Sequence, residues 1–226
     1  MRLGLCCNPS EGPAALAMGY DYVEYPAASH EPSETTNLFY SADVRLYGPG
    51  ADGLKRGKAV IDAAALRGVR IMVLGSGGVR KTEGDVAEAE KIFYDLAAEL
   101  DRYAQTLGLR LAPESLNPSE TNVGTSLPDL ARALREREAP YTADSYHALV
   151  ETGTKDAGLD FWREQVPFAP LHVHFAPHDR AIPTGKDATL QALFDRLREL
   201  GYDGRASLEC HRDGIPDPAP LRRLLE

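Results

Sequence analysis

Short apolar runs alternate along the chain with longer segments in which apolar residues recur at steps of three and four. Residues 2–7 and 21–25 read as the first two strands, and 44–47 as a weak third closed by Gly48-Pro49-Gly50. Residues 70–74 form a clear fourth run that ends in Gly75-Ser76-Gly77-Gly78. Runs at 109–113, 141–143, 171–173 and 206–208 supply strands five to eight. The best-marked helix lies within 84–107, where Val86, Ala89, Phe93, Leu96, Leu100, Tyr103 and Leu107 form one apolar stripe on a charged segment. Residues 54–66 and 127–134 repeat the pattern, as do Leu190, Leu193, Phe194 and Leu197 before a helix stop at Gly201.

Strands that alternate with helices imply a parallel sheet. Eight such units predict an α/β fold, a compact single-domain (β/α)8 TIM barrel over residues 1–226, with its site at the C-terminal ends of the strands. A doubly wound open sheet is the rival arrangement. The first half is short for a barrel: residues 26–41 carry no helical pattern, so helices one and two are expected to be short or absent. Residues 215–220 form a Pro-rich turn before a short final helix, and no linker or low-complexity run marks a second domain.

Bulk properties narrow the classes. The chain has 226 residues, enough for one sizeable core, with 43% hydrophobic and 26% charged residues. A net charge of −9 argues against a nucleic-acid partner, because such domains carry a basic face. Cys6, Cys7 and Cys210 are too few and too scattered for a disulfide framework, which favours reduced thiols and a cytoplasmic location. No apolar stretch reads as a leader peptide or a membrane span.

The chemistry lies in four potential metal ligands, Glu114, Asp144, His174 and Glu209, spaced 30, 30 and 35 residues apart. About 30 residues is one strand-plus-helix repeat. Each of the four closes one of the last four apolar runs, so parallel strands would bring all four to the same rim. Three carboxylates and one imidazole suit Mn²⁺, Mg²⁺ or Co²⁺ better than structural zinc, with Zn²⁺ also possible. Singly, each has a plainer explanation. A Glu at a strand end pairs with a rim cation, and Asp144 could cap the following helix, a duty not expected to combine with metal binding. His172 and His174 are one residue apart, and only one of them is expected to face the barrel axis. Arg180, in a loop bounded by Pro177 and Gly185, either clamps an oxygen-rich substrate or lies on the surface. Glu24 ends a strand and either lines the cavity or pairs with a nearby cation; it stays outside the metal set. Gly75-Ser76-Gly77-Gly78 lacks a nucleotide-loop signature and reads as a tight turn beside the site.

As a combination, Glu114…Glu120, Asp144-x-x-His147, His-x-His174…Arg180-x-x-Pro183-x-Gly185 and Gly201-Tyr202-Asp203-Gly204…Glu209 resemble the xylose isomerase-like TIM-barrel superfamily of sugar phosphate isomerases and epimerases, particularly its ketose 3-epimerase and inosose-processing branches. The likeness extends back to Val23-Glu24 and Gly75-Ser76-Gly77-Gly78. It implies that Glu114, Asp144, His174 and Glu209 hold a divalent metal, Mn²⁺ foremost, and that Glu120, His147 and Arg180 contact a sugar or polyol. It further implies that Glu114 and Glu209 move a substrate proton on and off through an enediolate. A homodimer is a candidate assembly. The chain departs from the family in its short first half, where longer helices and loops shape the substrate pocket and dimer contact. On the same scaffold, a dehydratase would expel a hydroxyl after the same proton abstraction. An endonuclease IV-like hydrolase would need more ligands than six His readily provide. A binding protein with a vestigial site is the remaining class.

Overall fold

The computed structural model describes residues 1–226. Eight parallel strands run in a ring: β1 (Arg2–Cys6), β2 (Tyr22–Pro26), β3 (Thr35–Asn37), β4 (Ile71–Leu74), β5 (Arg110–Pro113), β6 (Thr142–Asp144), β7 (His172–Phe175) and β8 (Arg205–Leu208). Their order is β5-β4-β3-β2-β1-β8-β7-β6. Between β5 and β6 the ladder shrinks to a single bridge, Glu114 to Thr142. The Thr142 hydroxyl donates to the Ala112 carbonyl at 3.2 Å across the same seam. The result is a nearly closed (β/α)8 barrel, as the alternation of runs predicts.

Nine helices surround it: α1 (Gly12–Met18), α2 (Gly53–Ala65), α3 (Gly77–Arg80), α4 (Val86–Thr106), α5 (Leu127–Arg135), α6 (Ser145–Thr152), α7 (Leu159–Gln165), α8 (Ala188–Glu199) and α9 (Pro218–Leu225). The long ones form where capping and periodicity agree. Asp85 accepts from the Glu88 amide at the start of α4, and Ala89, Phe93, Ala97, Leu100 and Ala104 bury one face of it. Asp187 caps α8 in the same way over Leu190, Leu193, Phe194 and Leu197. Gly201, at φ +68, turns the chain out of that helix. No helix is long and apolar enough to cross a membrane.

The first half is reduced as expected: α1 has seven residues and no helix joins β2 to β3. The expected third strand is not where the apolar run lies. Residues 44–47 form an irregular segment in which Val44 and Leu46 are buried while the Arg45 carbonyl accepts from the Asp52 and Gly53 amides. Those residues pack against the barrel without joining it. The strand is Thr35-Thr36-Asn37, a polar triplet held by β2 and β4 on its two sides.

The lower end of the barrel is filled by charge and aromatic surface. Glu34 accepts from Arg2 at 2.6 Å and from Arg205 at 2.7 Å, joining β1, β8 and the approach to β3. The Tyr22 ring lies over Gly4, where a Cβ would come within 2.2 Å of the ring, and its hydroxyl reaches Ser207 of β8. The strands end at the opposite rim.

Candidate functional site

The four spaced ligand types meet at that rim. Glu114 and Glu209 directly follow β5 and β8, Asp144 ends β6, and His174 lies in β7. His174 Nδ1 is 2.7 Å from Glu114 Oε1, 3.2 Å from Glu209 Oε2 and 3.8 Å from Asp144 Oδ2. One ligand atom from each of the four lies within 4.8 Å of the others. Gly75, at the turn after β4, makes room: a Cβ there would lie 3.0 Å from Glu114 Oε2.

Two expectations are corrected. Asp144 both caps and converges: Oδ1 accepts from the His147 amide at 2.9 Å, while Oδ2 faces His174. A carboxylate has two oxygens, and the strand-to-helix step points one each way. His172 and His174 also share a side. Successive strand residues alternate, so residues two apart fall on the same face. Both are completely buried inside the barrel, with ring centroids 5.0 Å apart.

Glu24, from β2, lies between them, fully buried. Its Oε1 is 2.9 Å from His174 Nε2 and its Oε2 is 2.9 Å from His172 Nε2. The Ser207 hydroxyl donates to Oε2 at 2.7 Å, and the Tyr22 hydroxyl lies 2.9 Å from Ser207. Glu24 thus pairs with two imidazoles inside the barrel.

The outer residues gather at the same mouth. Arg180 Nη2 is 3.0 Å from Glu209 Oε1, and its guanidinium lies 4.6 Å over the Tyr146 ring. Arg180 adopts φ +56, and its carbonyl accepts from the His211 amide, so the loops after β7 and β8 are tied together. His147 is buried, and its Nδ1 accepts from the Asn117 amide at 3.1 Å, with the Asn117 carboxamide at 3.0 Å. Its hydrogen therefore resides on Nε2, and burial lowers its pKa, keeping the ring neutral. Glu120 stands exposed at the rim, 3.8 Å from His147 Nδ1, and accepts from the Asn117 carboxamide at 3.2 Å. The sequence pattern does not mark Asn117, Tyr146 or Ser207, whereas the period of two places His172 on the same face as His174.

Electrostatics set the cluster apart. Burial, reinforced by neighbouring carboxylates, raises the Glu114 and Asp144 pKa values, although His174 opposes this. Burial also acts on Glu209, but His174 and Arg180 overcome it and hold that carboxyl low. Burial disfavours charge on His174, yet Glu24, Glu114 and Glu209 overcome it and raise its pKa. Three carboxylates thus converge on one imidazole, with Arg180 paired to Glu209 at the mouth. That excess of buried negative charge, in an oxygen-rich set with one nitrogen, fits a divalent cation.

A family profile described as xylose isomerase-like TIM barrel matches residues 13–226. None of the curated proteins matches the sequence. Among solved structures, D-psicose 3-epimerase in the presence of D-fructose aligns with TM-score 0.77 and 17% identity, over 99% of this chain and 90% of that one. AP endonuclease, family 2, from Brucella melitensis aligns with TM-score 0.73 and 16% identity over 96% of each chain. The IOLI protein with a bound zinc atom aligns with TM-score 0.63 and 17% identity, over 99% of this chain and 94% of that one. At such identities the likeness speaks for the fold alone.

Proposed function

Since the chain belongs to the xylose isomerase-like TIM barrel family, we propose that it is a divalent-metal-dependent sugar isomerase or epimerase acting on a ketose, inosose or related polyol. The observation that carries this reading is the approach of Glu114 and Glu209 to His174 Nδ1 from the ends of β5 and β8, with Asp144 between them. Glu114, Asp144, His174 and Glu209 would hold the cation, which when bound supplies Lewis-acid polarisation of a substrate carbonyl and its neighbouring hydroxyl. The two glutamates differ in proton affinity, Glu114 raised and Glu209 lowered. One glutamate would take a proton from the substrate carbon and the other would return one. Removal on one face and return on the other inverts the centre. His147 offers an Nε2–H donor to a substrate oxygen, and Arg180 and Glu120 read further hydroxyls at the mouth. The sugar epimerase among the structural neighbours supports this substrate class for the present chain.

The test is exchange of a substrate C–H proton with deuterium oxide, followed by proton NMR across a panel of ketoses, inososes and polyols with Mn²⁺-loaded protein. Exchange should occur with at least one substrate. Glu114→Gln and Glu209→Gln should each slow it by about 10²-fold or more. No exchange anywhere in the panel would sink the reading. Water loss, seen by mass, would move the activity to a dehydratase, and nicking of abasic DNA would move it to a hydrolase.

A further inference from the structure

The polar column beneath the proposed metal cluster contains a further buried carboxylate. Glu24 stands in the middle of β2, in register with Cys6 of β1 and Thr35 of β3, and its side chain is fully buried inside the barrel. An ionised carboxylate only accepts hydrogen bonds. Glu24 meets three donors: His174 Nε2 and His172 Nε2, each at 2.9 Å, and the Ser207 hydroxyl at 2.7 Å. The single Ser207 hydrogen is used on Glu24, so the Tyr22 hydroxyl, 2.9 Å away, donates to Ser207. Every hydrogen in this column points toward Glu24.

We propose that Glu24 is a positioning residue that holds the Nε2–H of His174 inside the barrel, so that with a cation bound its Nδ1 would present a lone pair on the side shared with Glu114, Asp144 and Glu209. The inference rests on the reading of that cluster as a metal site. Glu24 and the cluster meet opposite nitrogens of one imidazole: Oε1 of Glu24 faces Nε2, while Glu114 Oε1, at 2.7 Å, faces Nδ1. Glu24 therefore serves the ion through the ring, not as a ligand. A carboxylate that accepts the far N–H of a metal-bound His fixes its tautomer and orientation and makes it a stronger donor. His172 completes the lock. Its Nε2–H holds the second oxygen of Glu24, while its own Nδ1 has no hydrogen-bond partner, so it supports the column without joining the cluster.

Calorimetric titration of wild-type and Glu24→Gln protein with Zn²⁺ tests this. A glutamine carboxamide must turn an N–H toward one of the donors that Glu24 accepts, which removes the constraint on His174. The expected result is a loss of about 10–100-fold in zinc affinity, with the metal-free variant still folded by circular dichroism. A second reading needs no variant. In zinc-loaded wild-type protein with ¹⁵N-labelled histidine, long-range ¹H–¹⁵N spectra should place the His174 proton on Nε2. Zinc affinity in Glu24→Gln within about threefold of wild type overturns the inference, as does a His174 proton on Nδ1 in the zinc-loaded protein. If wild-type protein takes up no zinc at all, the metal reading itself falls, a result distinct from equal binding by both proteins.

Discussion

Arg80 shows how a single residue can support the site without touching it. It is completely buried at the end of α3, with its guanidinium 4.2 Å over the Phe93 ring. Its four hydrogen bonds all go to backbone carbonyls: Gly75 at 3.2 Å, Glu114 at 2.7 Å, Val123 at 2.7 Å and Gly124 at 3.0 Å. The planar fork thus joins the turn after β4 to the Glu114 backbone and to the loop beyond it. Gly124, at φ +67, is needed there, because a Cβ would lie 2.5 Å from Arg80 Nη2. Burial lowers the Arg80 pKa to about 10, which still leaves it charged at neutral pH. Arg80→Met should cost about 3 kcal/mol or more, since it orphans several buried carbonyls at once. Arg80→Lys should not restore that loss, because an ammonium cannot span the same set. Urea unfolding checks both, and wild-type stability in Arg80→Met would contradict the account. The sequence makes Glu114, Asp144, His174 and Glu209 legible because each closes an apolar run. Arg80 is not legible, because its partners are main-chain oxygens that no residue pattern names.

Among elements, legibility follows periodicity. The stripes of α4 and α8 stand out because one face of each is buried and the other solvated. β3 does not, because Thr35-Thr36-Asn37 is buried with polar side chains and its place comes from pairing with β2 and β4. Val44 and Leu46 mislead for the complementary reason: they alternate like a strand but pack as an irregular cover. The contact of α2 with α4 depends on bare positions. Gly53 and Gly57, four residues apart, lie on one face of α2. A Cβ on Gly53 would reach within 2.7 Å of Leu46, and one on Gly57 within 2.7 Å of Leu100. Gly57→Val should therefore force the two helices apart and destabilise the protein by about 1–3 kcal/mol. A thermal melt of this variant that matches wild type would show that α2 can shift freely, against the close packing described.

For the molecule as a whole, the weak line is the seam between β5 and β6, where ladder pairing is reduced to the Glu114–Thr142 bridge. Glu114 and Asp144 stand on its two sides, and burial raises the pKa of both, with Asp144 and Glu209 repelling charge on Glu114 and Glu209 repelling charge on Asp144. The sign of their effect follows from linkage. In metal-free protein, a carboxyl raised above its unfolded value favours the fold at low pH, and that contribution is lost as pH rises through the raised value. A cation bound by Glu114, Asp144, His174 and Glu209 would reverse the trend, because it would need the ionised forms and would join β5 to β6, β7 and β8. Glu209, already held low, adds no titration in that window. Melting temperature should therefore rise on adding Mn²⁺, and the rise should grow between about pH 5 and pH 8, across the interval above the ordinary carboxylate range. At a hundredfold excess over the dissociation constant, the stabilisation should be about 2.7 kcal/mol. Hydrogen exchange locates the effect: amides of β5 and β6 at the seam should gain more protection than those of β1 and β2 on the far side of the ring. Protection spread evenly around the barrel, or a metal effect strongest at low pH, would mean that the cation does not close this seam.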